Sequence, residues 1–356
     1  MSVTCCAFFR ADKSQRAIDI LSKTYTIDRK YRSMQGPVST QQVFLGDRNE
    51  PPELLWITGY RAVMVGADGK TAMPQEFMCH SNLNWNVASH RSLFTWTASA
   101  SPRLFTLSQG QFSIAFPNGF GIPILSTEPL SLTTQVLNLN IEGQTFHVRH
   151  KVTIEFVRDR ALRQPIRPLV ESSVYGLKLL EGNSGVFGVK EPTESQHGSS
   201  CLVGTNASGY PYHDAFGRTF TGHWVVKPGR EVNRTLVTKL LNLPFDTTIH
   251  EIAVHLHPFA ESLELRDPTT GKRIFKSRAR NLRHRIGLAH VEGYSSARGI
   301  PIFKNHDYEL ISVYHNTTSV DQDSMAVMYL YLLDKAFRKP ALPRTLAEPP
   351  NRAASR

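Results

Sequence analysis

Residues 249–257 read IHEIAVHLH and residues 325–333 read MAVMYLYLL. Both runs are dense in Ile, Val, Leu and Tyr and contain neither Gly nor Pro, so each reads as a buried strand. Side chains alternate across a strand and i, i+2 neighbours lie about 6–7 Å apart on one face. His255 and His257 therefore share a side, while His250 falls on the opposite face of an ideal strand. Working outward, residues 54–65, 131–140, 146–157, 223–226 and 308–314 have the same character, with Gly, Pro, Asn and Asp punctuating the intervals. Helical periodicity is confined to residues 11–32, where Ile18, Ile20, Leu21 and Tyr25 predict one peripheral helix. The expected fold is all-β, two jelly-roll-like antiparallel β-sandwich domains.

The chain has 356 residues, more than one hydrophobic core usually organises. We place an N-terminal extension at 1–40, a first sandwich at 41–160 and a second at 161–337, with the junction near residues 158–168, where DRALRQPIRP, residues 159–168, interrupts the strands. A Gly-, Ser- and Asn-rich loop is expected over 182–218, and a disordered, Pro-rich tail over 338–356. The formal charge of +11 would suit a polyanion only if the basic side chains gathered on one element. The densest run, from Lys272 to Arg285, reads as a solvated loop and brings no nucleic-acid-binding motif with it, so no nucleic-acid partner is expected. Four cysteines, Cys5, Cys6, Cys79 and Cys201, make no disulfide scaffold. No run of about 18 apolar residues is long enough to span a bilayer, and the start of the chain does not read as a signal peptide. The compartment stays open.

Two imidazoles on one strand face can converge on an ion, and a thioether beside them suits copper, since zinc seldom takes sulfur from methionine. The His-x-His strand, the Asp-Ser-Met325 sequence and the Tyr329-Leu-Tyr331 run that follows resemble, in order and separation, the C-terminal domain of the copper type II, ascorbate-dependent monooxygenases. That is the family of peptidylglycine alpha-hydroxylating and dopamine beta-monooxygenases. The resemblance covers residues 222–335. It implies that His255, His257 and Met325 hold copper, that Tyr329 lines a substrate pocket, and that the chain is an oxidoreductase inserting one oxygen atom into a C–H bond. Its partners would be a small-molecule or peptide substrate, dioxygen and an external reductant such as ascorbate. Members of the family are usually secreted.

A fainter likeness covers the first half, in Pro117-Asn-Gly119-Phe-Gly121, Thr134-Gln135-Val136 and Phe77-Met78-Cys79-His80. Here the departures are as informative as the match. Cys79 stands where the first of a histidine pair belongs, and Leu137 or Asn138 where the third histidine belongs. A second metal site would have to use His80, Cys79 as thiolate, and one of His90, His147 or His150; Cys79 as a buried core thiol is the competing reading. The Arg that grips a substrate carboxylate in the peptide-hydroxylating members is replaced by Ala253, and the Asn by Val327, so that clamp is gone. His223 reads either as a donor orienting a metal ligand or as a surface side chain. The alternative function is a copper-holding or structural β-sandwich without turnover.

Overall fold

The computed structural model describes residues 15–88, 90, 102–179, 212–213 and 219–342. The polypeptide is built almost wholly of strands, and their pairing is antiparallel except where Arg167 and Pro168 run parallel to Phe120 and Gly121. That junction joins two sheets into one. Its strands follow the order Gln15–Leu21, Phe146–Arg158, Leu54–Gly66, Phe120–Leu125, Arg167–Tyr175, Ala326–Leu333, Thr247–Leu256 and Tyr294–Ile302. A four-stranded sheet, containing Met78–Trp85 between Leu130–Val136 and Arg103–Ser108, closes the first sandwich. A five-stranded sheet containing Ala260–Asp267 and Glu309–Asn316 closes the second. The all-β, jelly-roll-like double sandwich expected from the sequence is what forms.

Two cores result. Ile57, Tyr60, Met64, Phe77, Leu83, Phe105 and Ile154 fill the first, and Ile252, Val254, Leu256, Leu263, Leu310 and Leu330 fill the second. Strands Thr247–Leu256 and Ala326–Leu333 take part in both. Their even-numbered residues from Ile252 to Leu332 line the second core, while Ala253, Val327, Tyr329 and Tyr331 point back into the first. A bulge between Ile249 and Glu251 resets the alternation so that Ile249 also enters the second core. Burial on both faces explains why these two runs are nearly continuous in apolar residues.

The first sandwich grips the second through polar side chains as well. Val254 N–H donates to Gln111 Oε1 at 2.8 Å, Leu288 N–H to Gln109 Oε1 at 3.1 Å, and Asn140 makes two 2.8 Å bonds with the backbone of Ile286.

Two expectations are corrected. The helix foreseen within 11–32 is replaced by strands Gln15–Leu21 and Tyr25–Ile27, both paired with Phe146–Arg158. Ile18 and Ile20 pack on the first core with a period of two, and the nearby strand edge outweighs local helical preference. The basic run is likewise no loop. Lys272–Asn281 is a strand whose Ile274, Phe275 and Ala279 pack against the second core. Its charges are drawn together by buried Glu264, which meets Arg266, Arg273 and Lys276. The loop expected at 182–218 falls outside the described residues except at its margins, as do Cys5, Cys6, Cys201 and the tail beyond 342.

Leu330 is fully buried in the second core, whereas Val320 is 60% exposed. Denaturant unfolding should show Leu330→Ala destabilised by about 2–5 kcal/mol, with Val320→Ala within about 0.5 kcal/mol of the parent.

Candidate metal centre

The end of the Thr247–Leu256 strand carries the histidines into the seam between the sandwiches. Register pairs His255 with Val327 and Leu256 with Ala326, so the next pair in line is His257 and Met325. The Tyr314 hydroxyl fixes that pair: it donates to Met325 O at 2.6 Å and accepts from His257 N–H at 3.3 Å. His255, His257 and Met325 are all buried. The two imidazoles stand edge to face, with centroids 5.3 Å apart and planes at 87°.

Asp323 was not singled out as a site residue, although it stands two positions before Met325. Strand Gln322–Ser324 pairs with Trp224–Val226, setting Asp323 across from Val225 and beside His223. His223 Nε2 lies 3.0 Å from Asp323 Oδ2, and His257 Nδ1 lies 3.2 Å from the same oxygen, off the direction of a good hydrogen bond. Among the described residues, His223, His257 and Asp323 are the group of His, Cys, Asp or Glu whose ligand atoms lie close enough to hold an ion. Burial alone would raise the Asp323 carboxyl, but the two ring nitrogens overcome it and hold the group well below the usual carboxylate range. It is therefore ionised at neutral pH. His223, which the sequence leaves as either a donor orienting a ligand or a surface side chain, is here half-buried against Asp323.

His255 is held differently. Its Nδ1 has no hydrogen-bond partner, and burial, with the neighbouring His257 and then His80, drives its pKa well below that of a free imidazole. A neutral, buried ring with an unsatisfied nitrogen is an apt ligand for a cation. The donor set of two imidazoles beside a thioether suits copper, and Asp323 behind His257 is the carboxylate that commonly orients a metal-bound histidine.

Among the described residues, His80 and Cys79 belong to no group of three or more potential metal ligands. Cys79 is buried, and its thiol is pushed up to about 12 by burial. Leu137 is a core side chain, and Asn138 donates both amide hydrogens to the carbonyls of Arg29 and Ile141. His147 and His150 stand on opposite faces, His150 fully buried and His147 exposed against Thr26. His90 is spent on Glu128 at 2.9 Å. His80 is buried near the imidazole pair instead, close enough to act on His255. Tyr329 is 5% exposed and packs beside Thr106 and Arg103, with its hydroxyl raised by burial.

No protein-family model matches the chain, and no curated protein does. Solved structures similar to it include PBCV-1 VP54, in a crystal structure fitted into a cryo-EM reconstruction of the virophage Sputnik. That match has 9% identity over 94% of this chain and 98% of the other, at a TM-score of 0.31. The mavirus major capsid protein matches with 7% identity over 92% and 89%, at 0.22. A cryo-EM structure of the Sputnik virophage matches with 8% identity over 93% and 88%, at 0.21.

The expected membership of the copper type II monooxygenase family is overturned: neither a family model nor a curated enzyme answers to it. Hydroxylation and the oxidoreductase class fall with it, and so do a substrate, dioxygen and a reductant as partners. The side chains supply a physical reason. Ala253 and Val327 are fully buried apolar residues that grip no carboxylate, and Cys79 and Leu137 or Asn138 stand where the second metal site of that family would place histidines. Among the described residues no helix is long and apolar enough to cross a membrane.

Tyr314→Phe removes the hydroxyl that ties Met325 to His257. Denaturant unfolding should register a loss of about 1–3 kcal/mol, since a buried carbonyl and amide are left without that partner.

Proposed function

We propose that the chain is a structural β-sandwich protein that holds one copper ion without turnover. The single observation behind this is the buried pair His255 and His257, the second tethered by Asp323 and fixed to Met325 through the Tyr314 hydroxyl. Copper on His255, His257 and Met325 would tie two neighbouring strands of the continuous sheet together. Anything that binds the folded chain alone stabilises it by mass action, so the ion acts as an internal clamp. The departures at Cys79, Ala253 and Val327 take nothing from His255, His257 and Met325 themselves.

A second reading is favoured by the close approach of His223 Nε2, His257 Nδ1 and Asp323 Oδ2: these three take the ion themselves, a nitrogen–oxygen set fit for zinc. No nucleic-acid partner is proposed: Arg273 and Lys276 of the basic strand face Glu264, and Arg278 faces Glu292.

Metal analysis and calorimetry on the purified chain should find one copper per chain, with no oxygen uptake when ascorbate is added. Asp323→Asn should weaken copper affinity roughly 10–100-fold, and His255→Ala and Met325→Leu should each weaken it at least as much. A chain that takes up no copper would refute the proposal. Retention of zinc by Met325→Leu and its loss from His223→Ala would select the second reading.

A further inference from the structure

Away from the imidazoles, the same sheet face carries an arrangement that the metal centre does not use. Register places Tyr331 directly between two carboxylic acids: Glu171 on Arg167–Tyr175 and Glu251 on Thr247–Leu256. Residues directly opposite in a ladder point to the same side, so all three side chains face the first sandwich. Tyr331 is the plug in that contact. Its hydroxyl donates to Leu104 O at 2.9 Å, and its ring packs on Phe105 and Phe116 with centroids 5.7 and 4.9 Å away.

The flanking acids are each 5% exposed. Neither oxygen of Glu171 has a hydrogen-bond partner, nor has Oε2 of Glu251. Ionised carboxylates left so in a dry contact would cost far more than neutral ones.

We propose that Glu171 and Glu251 form a pH-operated latch on the seam between the sandwiches: as neutral acids they let Tyr331 seat against the first sandwich, and on ionisation they release it. The proposal is independent of the metal reading. Burial pushes both carboxyls up to about 8; Arg103 and Ser173 oppose the shift at Glu171, and Ser295 opposes it at Glu251. The other titratable groups around them stay fixed above neutrality. Arg103 donates to Thr106 Oγ1. The Tyr329 and Tyr331 hydroxyls are raised by burial and remain protonated. His250, next to Glu251, bonds Ser296 O and Thr248 Oγ1, and burial lowers its pKa, so it is neutral.

The direction follows from linkage. A carboxyl whose folded pKa is raised gives its full stabilisation below its unfolded value and loses it as pH rises through the folded one. Between pH 7 and 8 the unfolded chain has already shed these protons and the folded chain still holds them. Each acid therefore raises the unfolding constant about tenfold per pH unit there. The buried histidines His150 and His250, with lowered values, change charge only on the acid side and add nothing in this window.

The test is hydrogen exchange of the full chain, read as protection factors at pH 7 and pH 9. Protection in Arg103–Ser108 and Ala326–Leu333 should fall tenfold or more on going to pH 9, and the fall should vanish in Glu171→Gln/Glu251→Gln. Unchanged protection in the parent, or an equal fall in the double variant, would overturn the latch. Should the double variant fail to fold, infrared spectroscopy of the parent decides. A protonated-carboxyl band at pH 7 that bleaches as pH passes about 8 supports the proposal, and its absence at pH 7 refutes it.

Discussion

Strand Thr247–Leu256 is buried on both of its faces, and the architecture hangs on that constraint. Ile252, Val254 and Leu256 belong to the core of the second sandwich, while Ala253 and His255 face the first. Its partner Ala326–Leu333 divides in the same way, with Met328 and Leu330 on one side and Val327, Tyr329 and Tyr331 on the other. Two cores thus share one layer of backbone. A side chain at the seam cannot shift without disturbing packing on the reverse face, because close-packed interiors transmit displacement instead of absorbing it.

That sharing explains why polar groups concentrate there. A seam between two sandwiches shields side chains from water while leaving them beside groups from both halves, so burial is nearly complete and partners come from distant parts of the chain. His255 and Asp323 show the two outcomes. The carboxylate of Asp323 gathers two imidazoles and stays ionised, whereas His255 has no partner for Nδ1 and is neutral. Glu171 and Glu251 follow His255: with three of their four carboxyl oxygens unbonded, burial raises their pKa values and they keep their protons. Compensation, more than burial itself, decides whether a charge persists at this depth.

Much of the fold was legible in the sequence because the buried strands carry their own pattern. The runs around 54–65, 146–157, 249–257 and 325–333 are rich in apolar and β-branched residues, contain no Pro and, apart from Gly59, no Gly, and all became strands. The failures have one cause. Residues 15–27 and 272–281 are polar enough to hide a period of two, and only pairing with a neighbouring strand shows which side is buried. At the site, the i, i+2 spacing placed His255 and His257 on one face, and strand order brought Met325 alongside. Asp323 and Tyr314 were invisible as partners, since they reach the histidines across strand pairings that no local pattern encodes. The resemblance to copper monooxygenases rested on those same few side chains. A short constellation can sit on a sandwich without the substrate grip and second centre that would make an enzyme of it.

The account turns on whether sulfur and nitrogen from neighbouring strands meet at one ion. X-ray absorption at the copper edge, on the reduced and copper-loaded chain, addresses this most directly. We predict a spectrum fitted by two imidazole nitrogens and one sulfur, with the sulfur contribution lost in Met325→Leu. A spectrum with nitrogen and oxygen ligands alone, unchanged by that substitution, would contradict it.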